Sequence, residues 1–310
     1  MSKVLITGAS GFIGNNLINY LQNKTIQVLP FSRNPGMEYS QIDTSYLNNE
    51  DVEVIIHLAG KAHDLKKVAS DADYYLVNTD LTKDIINAFL ASDAKVFIFL
   101  SSVKAVADEV KEILTEDYIP NPITHYGKSK LLAEQYILSK PIPIGKRIYI
   151  LRPCMIHGPG NKGNLNLLYN FVSKGLPWPL GSFENKRSFC SIDNLSFIIS
   201  NLIENHQIPS GIYNISDDEP VSTNDLIRLI AESQAKKPFI LNIPKSIVII
   251  LSKLGNIFKL PLNTENLNKL TETYIVSNNK IVQALNTSLP VSSKEGLIKT
   301  LNTFENSKSH

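Results

Sequence analysis

Cysteine is scarce in this chain, with Cys154 and Cys190 the two among 310 residues. Two thiols make no disulfide framework, and each is expected to act as a small apolar residue rather than a reactive group. An excess of charge of one sign is also missing. Lys and Arg number 31 against 29 for Asp and Glu, a net +2, and no arginine-rich run occurs, so composition makes no case for nucleic acid. Long apolar runs are absent as well. Ile247 to Leu251, the most apolar later stretch, runs five residues before Ser252 and Lys253 interrupt it. A bilayer span takes about 20 residues, so no transmembrane segment is expected. Met1-Ser2-Lys3 leads straight into an apolar strand without a secretory signal, which makes cytoplasmic the expected location. There is no internal repeat, and no metal site is expected.

What is there is the composition of a soluble globular protein, 43% apolar and 19% charged. Val4–Thr7, Ile26–Phe31, Val54–Leu58, Val96–Leu100 and Ile148–Leu151 are short, unbroken apolar runs, as expected for strands covered on both faces. Asp71–Ala91 and Tyr126–Ser139 carry helical spacing between them. The alternation predicts an α/β fold, a doubly wound parallel Rossmann sheet whose ligands collect at the carboxyl ends of its strands. Prolines such as Pro153, Pro177, Pro209, Pro244 and Pro290 break the second half into short pieces, which predicts a smaller, less regular C-terminal lobe. Ile212–Ile215 is expected to return as a sheet strand, and the polar end from about Asn306 to fray.

Residues 4–14 read Val-Leu-Ile-Thr-Gly-Ala-Ser-Gly-Phe-Ile-Gly. An apolar strand enters a turn with glycines at 8, 11 and 14, and Phe12, Ile13, Leu17, Ile18 and Leu21 follow at helical spacing. That context suits a dinucleotide pyrophosphate carried on a helix N-terminus. Gly8 serves the tight turn, Gly11 the approach of backbone to phosphate, and Gly14 the close packing of helix on strand. A purely structural turn is the alternative.

Ser101-Ser102 ends an apolar strand, and Tyr126 and Lys130 lie four apart on a predicted helix, hence on one face. A phenol with an ordinary pKa near 10 is a poor base at neutral pH, and an ammonium beside it favours the phenolate. A serine hydroxyl nearby orients the substrate oxygen. Together they suit proton movement at an alcohol or carbonyl while a nicotinamide moves the hydride. The plainer reading has Tyr126 and Lys130 decorating an exposed helix.

Taken together, Thr7 to Gly14, His57-Leu-Ala-Gly60, Asn78, Ser101-Ser102, Tyr126-Gly-Lys-Ser-Lys130, Leu151-Arg-Pro153, His157-Gly-Pro and Arg187 to Asp193 resemble one family. The chain is similar, over nearly its full length, to extended short-chain dehydrogenases/reductases of the NAD-dependent epimerase/dehydratase family, which act on nucleotide sugars. The resemblance implies that Ser102 is the catalytic serine and also touches substrate. It makes Tyr126 the acid/base, and has Lys130 hold the ribose hydroxyls while lowering the tyrosine pKa. For the cofactor it implies Gly8, Gly11, Phe12, Ile13 and Gly14 at the pyrophosphate, Leu58, Ala59 and Gly60 against its backbone-facing side, Asn78 beneath it, and Pro153. Ala59-Gly60 could equally be a tight turn and Asn78 a helix cap. Asp43 matches the acid that receives the adenine amino group, or is a surface loop acid.

The second strand departs from NAD-specific relatives, which end it with an acid. Ser32 and Arg33 stand there instead, and an arginine favours a 2′-phosphate. NADP(H) is therefore favoured with NAD(H) still open, unless Arg33 is simply solvated. The UDP end of the substrate is expected in the smaller lobe, with Arg187 on its pyrophosphate (or in a surface ion pair) and Asn164 facing the nucleotide sugar. The implied division is a dinucleotide domain of residues 1–158 plus about 187–216, and a substrate lobe of about 159–186 and 217–310. Met155 and His157 replace the asparagine and tyrosine of many epimerases, which weakens transfer of a galactose-type pocket. His63 and His125 are read as local hydrogen-bonding residues.

Two chemistries fit one triad: a 4-epimerase returns the hydride to the other face of C4, and a 4-keto reductase delivers it once. Val103-Lys104 stand where a dehydratase carries an Asp-Glu pair. Ser-Ser-Val-Lys (101–104) and the segment 176–194 resemble enzymes of surface-polysaccharide synthesis acting on UDP-linked hexoses or N-acetylhexosamines. Arg33 tilts the expectation to a 4-keto reductase, with a UDP-hexose 4-epimerase as the alternative and a catalytically silent nucleotide-binding protein behind both. The resemblance also suggests a homodimer. Ile247–Leu262, with Lys253 and Lys259 interspersed, is an ordinary helix of the smaller lobe or a docking element for a membrane or partner.

Overall fold

Alternate residues of the same strands pack on opposite faces, the property that makes their sequences continuously apolar. Val4, Ile6, Val54, Ile56, Val96 and Ile98 enter one core with Leu17, Leu21, Leu195 and Ile198. Leu5, Ile55, Phe97, Phe99, Ile148 and Ile150 enter the other with Leu47, Ile85, Phe89, Ala133 and Ile137. These are the two helix-covered faces of a parallel sheet.

A computed structural model describes residues 3–32, 38–61, 70–161, 163–258 and 263–306. Its six-stranded sheet is built from β1 (Lys3–Thr7), β2 (Gln27–Phe31), β3 (Val54–His57), β4 (Val96–Leu100), β5 (Arg147–Pro153) and β8 (Gly211–Ile215). The order is β2-β1-β3-β4-β5-β8 and every pairing is parallel. Strand order reverses between β1 and β3, so their carboxyl ends frame the switch-point crevice of a doubly wound sheet. A separate parallel pair, β6 (Met155–His157) and β7 (Phe189–Ser191), lies just beyond β5.

One face carries α1 (Phe12–Asn23), α7 (Ile192–Glu204) and α11 (Asn279–Leu285), the other α2 (Thr44–Asn49), α4 (Leu81–Ala91) and α5 (His125–Leu138). The predicted helix 71–91 is α3 (Asp71–Tyr75), a π-helical turn over Leu76–Asp80, and α4. A wide turn of this kind is a common mark of a functional position, and Asn78 sits inside it. The second half is more regular than its prolines suggest. The helices α6 (Asn164–Ser173), α8 (Thr223–Ser233), α9 (Lys245–Phe258), α10 (Thr264–Thr271) and α12 (Ser293–Asn306) gather on a third core around Leu165, Trp178, Leu226, Ile230 and Leu297. Pro153 ends β5, and Pro177, Pro209, Pro244 and Pro290 fall outside the helices, where they cost no helical hydrogen bond.

Candidate active site

Strand β1 ends in Gly8, whose φ of +71° lies in the left-handed region. A Cβ there would stand 2.8 Å from the Ala59 amide nitrogen, and one at Gly14 would stand 2.5 Å from the Ala9 carbonyl oxygen. Glycine at both positions lets α1 and the 58–60 loop close over the end of β1. The first turn of α1 has neither a side-chain cap nor an acid, so its positive end opens toward the crevice. A dinucleotide pyrophosphate fits such a cradle.

The loop after β3 is tied down from behind. His57, fully buried, lies 2.7 Å from Thr7 Oγ1 and 3.0 Å from Thr82 Oγ1. Burial, with the Lys130 charge second, depresses its pKa to about 3, so the imidazole is neutral. Asn78 is also fully buried. Its Oδ1 accepts from the Lys61 amide at 2.8 Å, and its Nδ2 donates to Lys61 O at 3.1 Å and Ser129 Oγ at 3.0 Å. It is therefore a clamp between the 58–61 loop and α5 rather than a helix cap. A Cβ added to Gly60 would meet Asn78 Oδ1 at 3.0 Å and Lys130 Nζ at 3.1 Å, so a side chain there would press on both.

Ser101 and Ser102 part company at the end of β4. Both border the crevice, but the Ser101 hydroxyl turns to Glu134, whereas Ser102 caps the short turn 103–105 by accepting from the Lys104 amide at 3.2 Å. Helix α5 begins at a Thr124 cap and runs unusually close to that turn. A Cβ on Gly127 would fall 2.3 Å from the Lys104 carbonyl oxygen. This approach brings Tyr126 near Ser102, whose hydroxyl favours the phenolate, and both line the same crevice.

Gly8, Gly11, Phe12, Ile13, Gly14, Leu58, Gly60, Ser102, Tyr126, Lys130 and Pro153 line one cavity of about 590 Å³. Ser102 also borders a second, of about 210 Å³, with Lys104, Arg187 and Tyr274, and Arg187 borders a third with Asn164. The three are strung from the glycine loop to α6. Ala59 and Asn78 stand behind the lining. Asp43 is exposed and caps α2, its Oδ1 accepting from the Tyr46 amide at 2.7 Å. Arg33 and His63 lie outside the described residues. Ser32 Oγ accepts from the Ser10 amide at 2.8 Å, which ties the end of β2 to the glycine loop.

The expected pull of Lys130 on the tyrosine is not what the geometry gives. Crowding of protein around the Tyr126 ring raises its pKa, and the nearby Ser102 hydroxyl only moderates this. Tyr126 itself is part-buried and lines the crevice. Lys130 Nζ donates to Leu100 O at 2.8 Å and stands 4.8 Å from the Phe99 ring centroid. Burial lowers its own pKa to about 8, with Glu134 opposing. Arg187 serves two partners, Nη1 donating to Lys269 O at 2.8 Å and Nη2 pairing with Glu272 at 2.7 Å. It is at once a cavity residue and half of an ion pair.

Sequence reasoning missed Lys104, Tyr274, Glu134 and Arg152. Glu134 follows Lys130 by one helical turn, a signal that was available; Tyr274 carried none. Burial raises both thiols well above their ordinary pKa, so Cys154, although it lines the cavity, is a packing group. His157 is buried between Thr300 and Asp217, and exposed His125 bonds Tyr75 and faces Asp71.

A model of the NAD dependent epimerase/dehydratase family matches residues 4–216. The UDP-glucose 4-epimerase of Vibrio cholerae is 30% identical, across 97% of this chain and 95% of its own length. The N-acetyl-alpha-D-glucosaminyl-diphospho-ditrans,octacis-undecaprenol 4-epimerase of Escherichia coli O157:H7 is 29% identical over 76% of this chain and 73% of its own. The structure of the Thermus thermophilus UDP-glucose 4-epimerase in complex with NAD superposes with a TM-score of 0.73 at 20% identity, covering 98% of this chain and 99% of that one.

Proposed function

This chain belongs to the NAD dependent epimerase/dehydratase family, and from that premise we propose that it is an NAD(P)-dependent enzyme that inverts C4 of a UDP-linked hexose or N-acetylhexosamine. The observation that carries the reading is the position of Ser102, shared by the glycine-loop cavity and the cavity that Arg187 borders. A cofactor in the first and a sugar in the second would meet at Ser102 and Tyr126.

A bound nicotinamide supplies a reversible hydride acceptor at C4. In this reading the chain's residues do the rest. Tyr126 takes the proton from the C4 hydroxyl, a step worth about 10²–10⁴ in rate, and returns it after the sugar turns. Ser102 orients that oxygen. Lys130 leaves Leu100 O for the ribose hydroxyls, and a ligand that brings its ammonium nearer the phenol moves the tyrosine pKa downward. Arg187 grips the substrate diphosphate through its planar fork, sharing or exchanging Glu272. The nucleotide end lies in the substrate lobe toward Asn164. A cytoplasmic homodimer formed through α5, where Leu132 and Leu138 are exposed, belongs to the same proposal, as does a place in surface-polysaccharide synthesis.

The full-length similarity to a 4-epimerase supports inversion over single reduction. The 4-keto reductase stands second, favoured by the end of β2. No acid is there to hold a ribose 2′-hydroxyl, and Ser32 turns to the glycine loop. This leaves NADP(H) a candidate beside NAD(H). Incubation with UDP-glucose, UDP-N-acetylglucosamine and catalytic NAD, followed by NMR of the sugar, decides between them. A C4 epimer without net cofactor turnover supports the proposal. Stoichiometric NADPH oxidation with a UDP-4-keto-6-deoxy sugar, and no epimer, overturns it for the reductase. Cofactor binding with neither reaction leaves the silent protein.

A further inference from the structure

Helix α9 has two apolar faces. Val248, Ser252 and Gly255 form the stripe that meets the core. A different stripe, Ile247, Ile250, Leu251, Leu254, Ile257 and Phe258, runs at spacings of three and four along the outside. These six are 43% to 72% exposed. A surface helix ordinarily turns polar residues outward, and a contiguous apolar patch of several hundred Å² marks a docking surface.

The charge on this helix indicates what docks. Beside the stripe the helix carries Lys253, exposed Ile249 and Lys245, whose ammonium stands 5.8 Å from the Phe183 ring centroid, and it contains no acid. From Ser233 to Thr264 the chain has five lysines and no aspartate or glutamate. From these features we infer that the outer face of α9 docks on an anionic lipid surface, its apolar stripe sunk among the acyl chains and its lysines at the headgroups. At 14 residues the helix reaches about 21 Å, too short to cross a bilayer but suited to lying in its interface. A second copy of the chain fits less well. Helices that pair along such a stripe flank it with both signs of charge, whereas two copies of α9 would bring lysine against lysine. Docking would also hold the substrate end near the lipid, because α10, packed on α9, supplies the Lys269 carbonyl that Arg187 holds.

Flotation of the full chain with phosphatidylcholine vesicles, with and without one-third phosphatidylglycerol, tests this without reference to activity. The wild type is expected to float with the anionic vesicles and to bind the neutral ones about tenfold less. Ile250→Glu/Leu254→Glu and Lys245→Glu/Lys253→Glu alter exposed side chains, so both should keep the wild-type melting temperature while losing flotation. Failure of the wild type to float, or flotation unchanged in both variants, overturns the inference. So does a wild-type dimer, by light scattering, that Ile250→Glu/Leu254→Glu splits into monomers.

Discussion

The guanidinium of Arg152 holds the carboxylate of Glu134 inside the core, Nε at 3.0 and 3.1 Å from its two oxygens and Nη2 at 2.5 Å from one of them. Ser101 donates to the same carboxylate, and Lys130 stands one helical turn before it. The buried negative charge partly offsets the desolvation of the lysine ammonium, so the pair links the end of β5 to the residue proposed to hold the cofactor.

Breaking that pair from one side should be severe. Arg152→Met leaves a buried carboxylate uncompensated and is expected to lower stability by about 3–5 kcal/mol. Arg152→Met/Glu134→Leu should recover much of the loss, because it also removes the carboxylate that the single variant strands in the core. Urea unfolding of the three proteins checks this. A double variant no better than the single one would mean that the pair is not the origin.

Tyr126→Phe removes the phenol proposed to carry the proton and leaves the ring. Turnover should fall by about 10²–10⁴ with the melting temperature and cofactor affinity close to wild type. Activity within a few-fold of wild type contradicts the catalytic assignment.

Arg187→Ala should raise KM for the UDP-sugar by about 10–100-fold, the worth of one charge-assisted contact, while cofactor affinity stays unchanged. Parallel titrations with sugar and cofactor make the comparison. A variant that loses both affinities equally would point to a folding role through Glu272.

Gly8→Ala combines a left-handed φ with a Cβ 2.8 Å from the Ala59 nitrogen. Backbone strain alone costs about 1–2 kcal/mol, and the 58–60 loop must shift. Dinucleotide affinity is expected to drop at least about tenfold, read by fluorescence titration. Unchanged binding would remove the glycine loop from the cofactor site.

Two buried groups give stability a pH signature. The folded pKa of His57, about 3 against an ordinary 6.5, means that between these values the unfolded chain takes up a proton the folded chain refuses. Its contribution is present above about 6.5 and is lost as pH falls toward 3. Lys130 shifts the same way, from 10.5 to about 8, so stability should rise with pH across that window. Urea midpoints of His57→Gln should show a shallower acid slope, and those of Lys130→Met a flatter alkaline one. Slopes parallel to wild type would refute the assignments.

What the sequence determined alone is what local rules control. Strand runs such as Val96–Leu100 and helices such as 126–139 follow from period and burial. The glycine loop follows from turn chemistry, and the shared face of Tyr126 and Lys130 from 3.6 residues per turn. The tertiary structure decided whatever depends on partners distant in the chain. Gly127 lets α5 reach the Ser102 turn, Asn78 clamps Lys61 to Ser129, and Arg187 meets Glu272 across 85 residues. Even the direction of the Tyr126 shift was settled there, because a pKa answers to the protein and charge packed around the ring, and residue spacing carries neither.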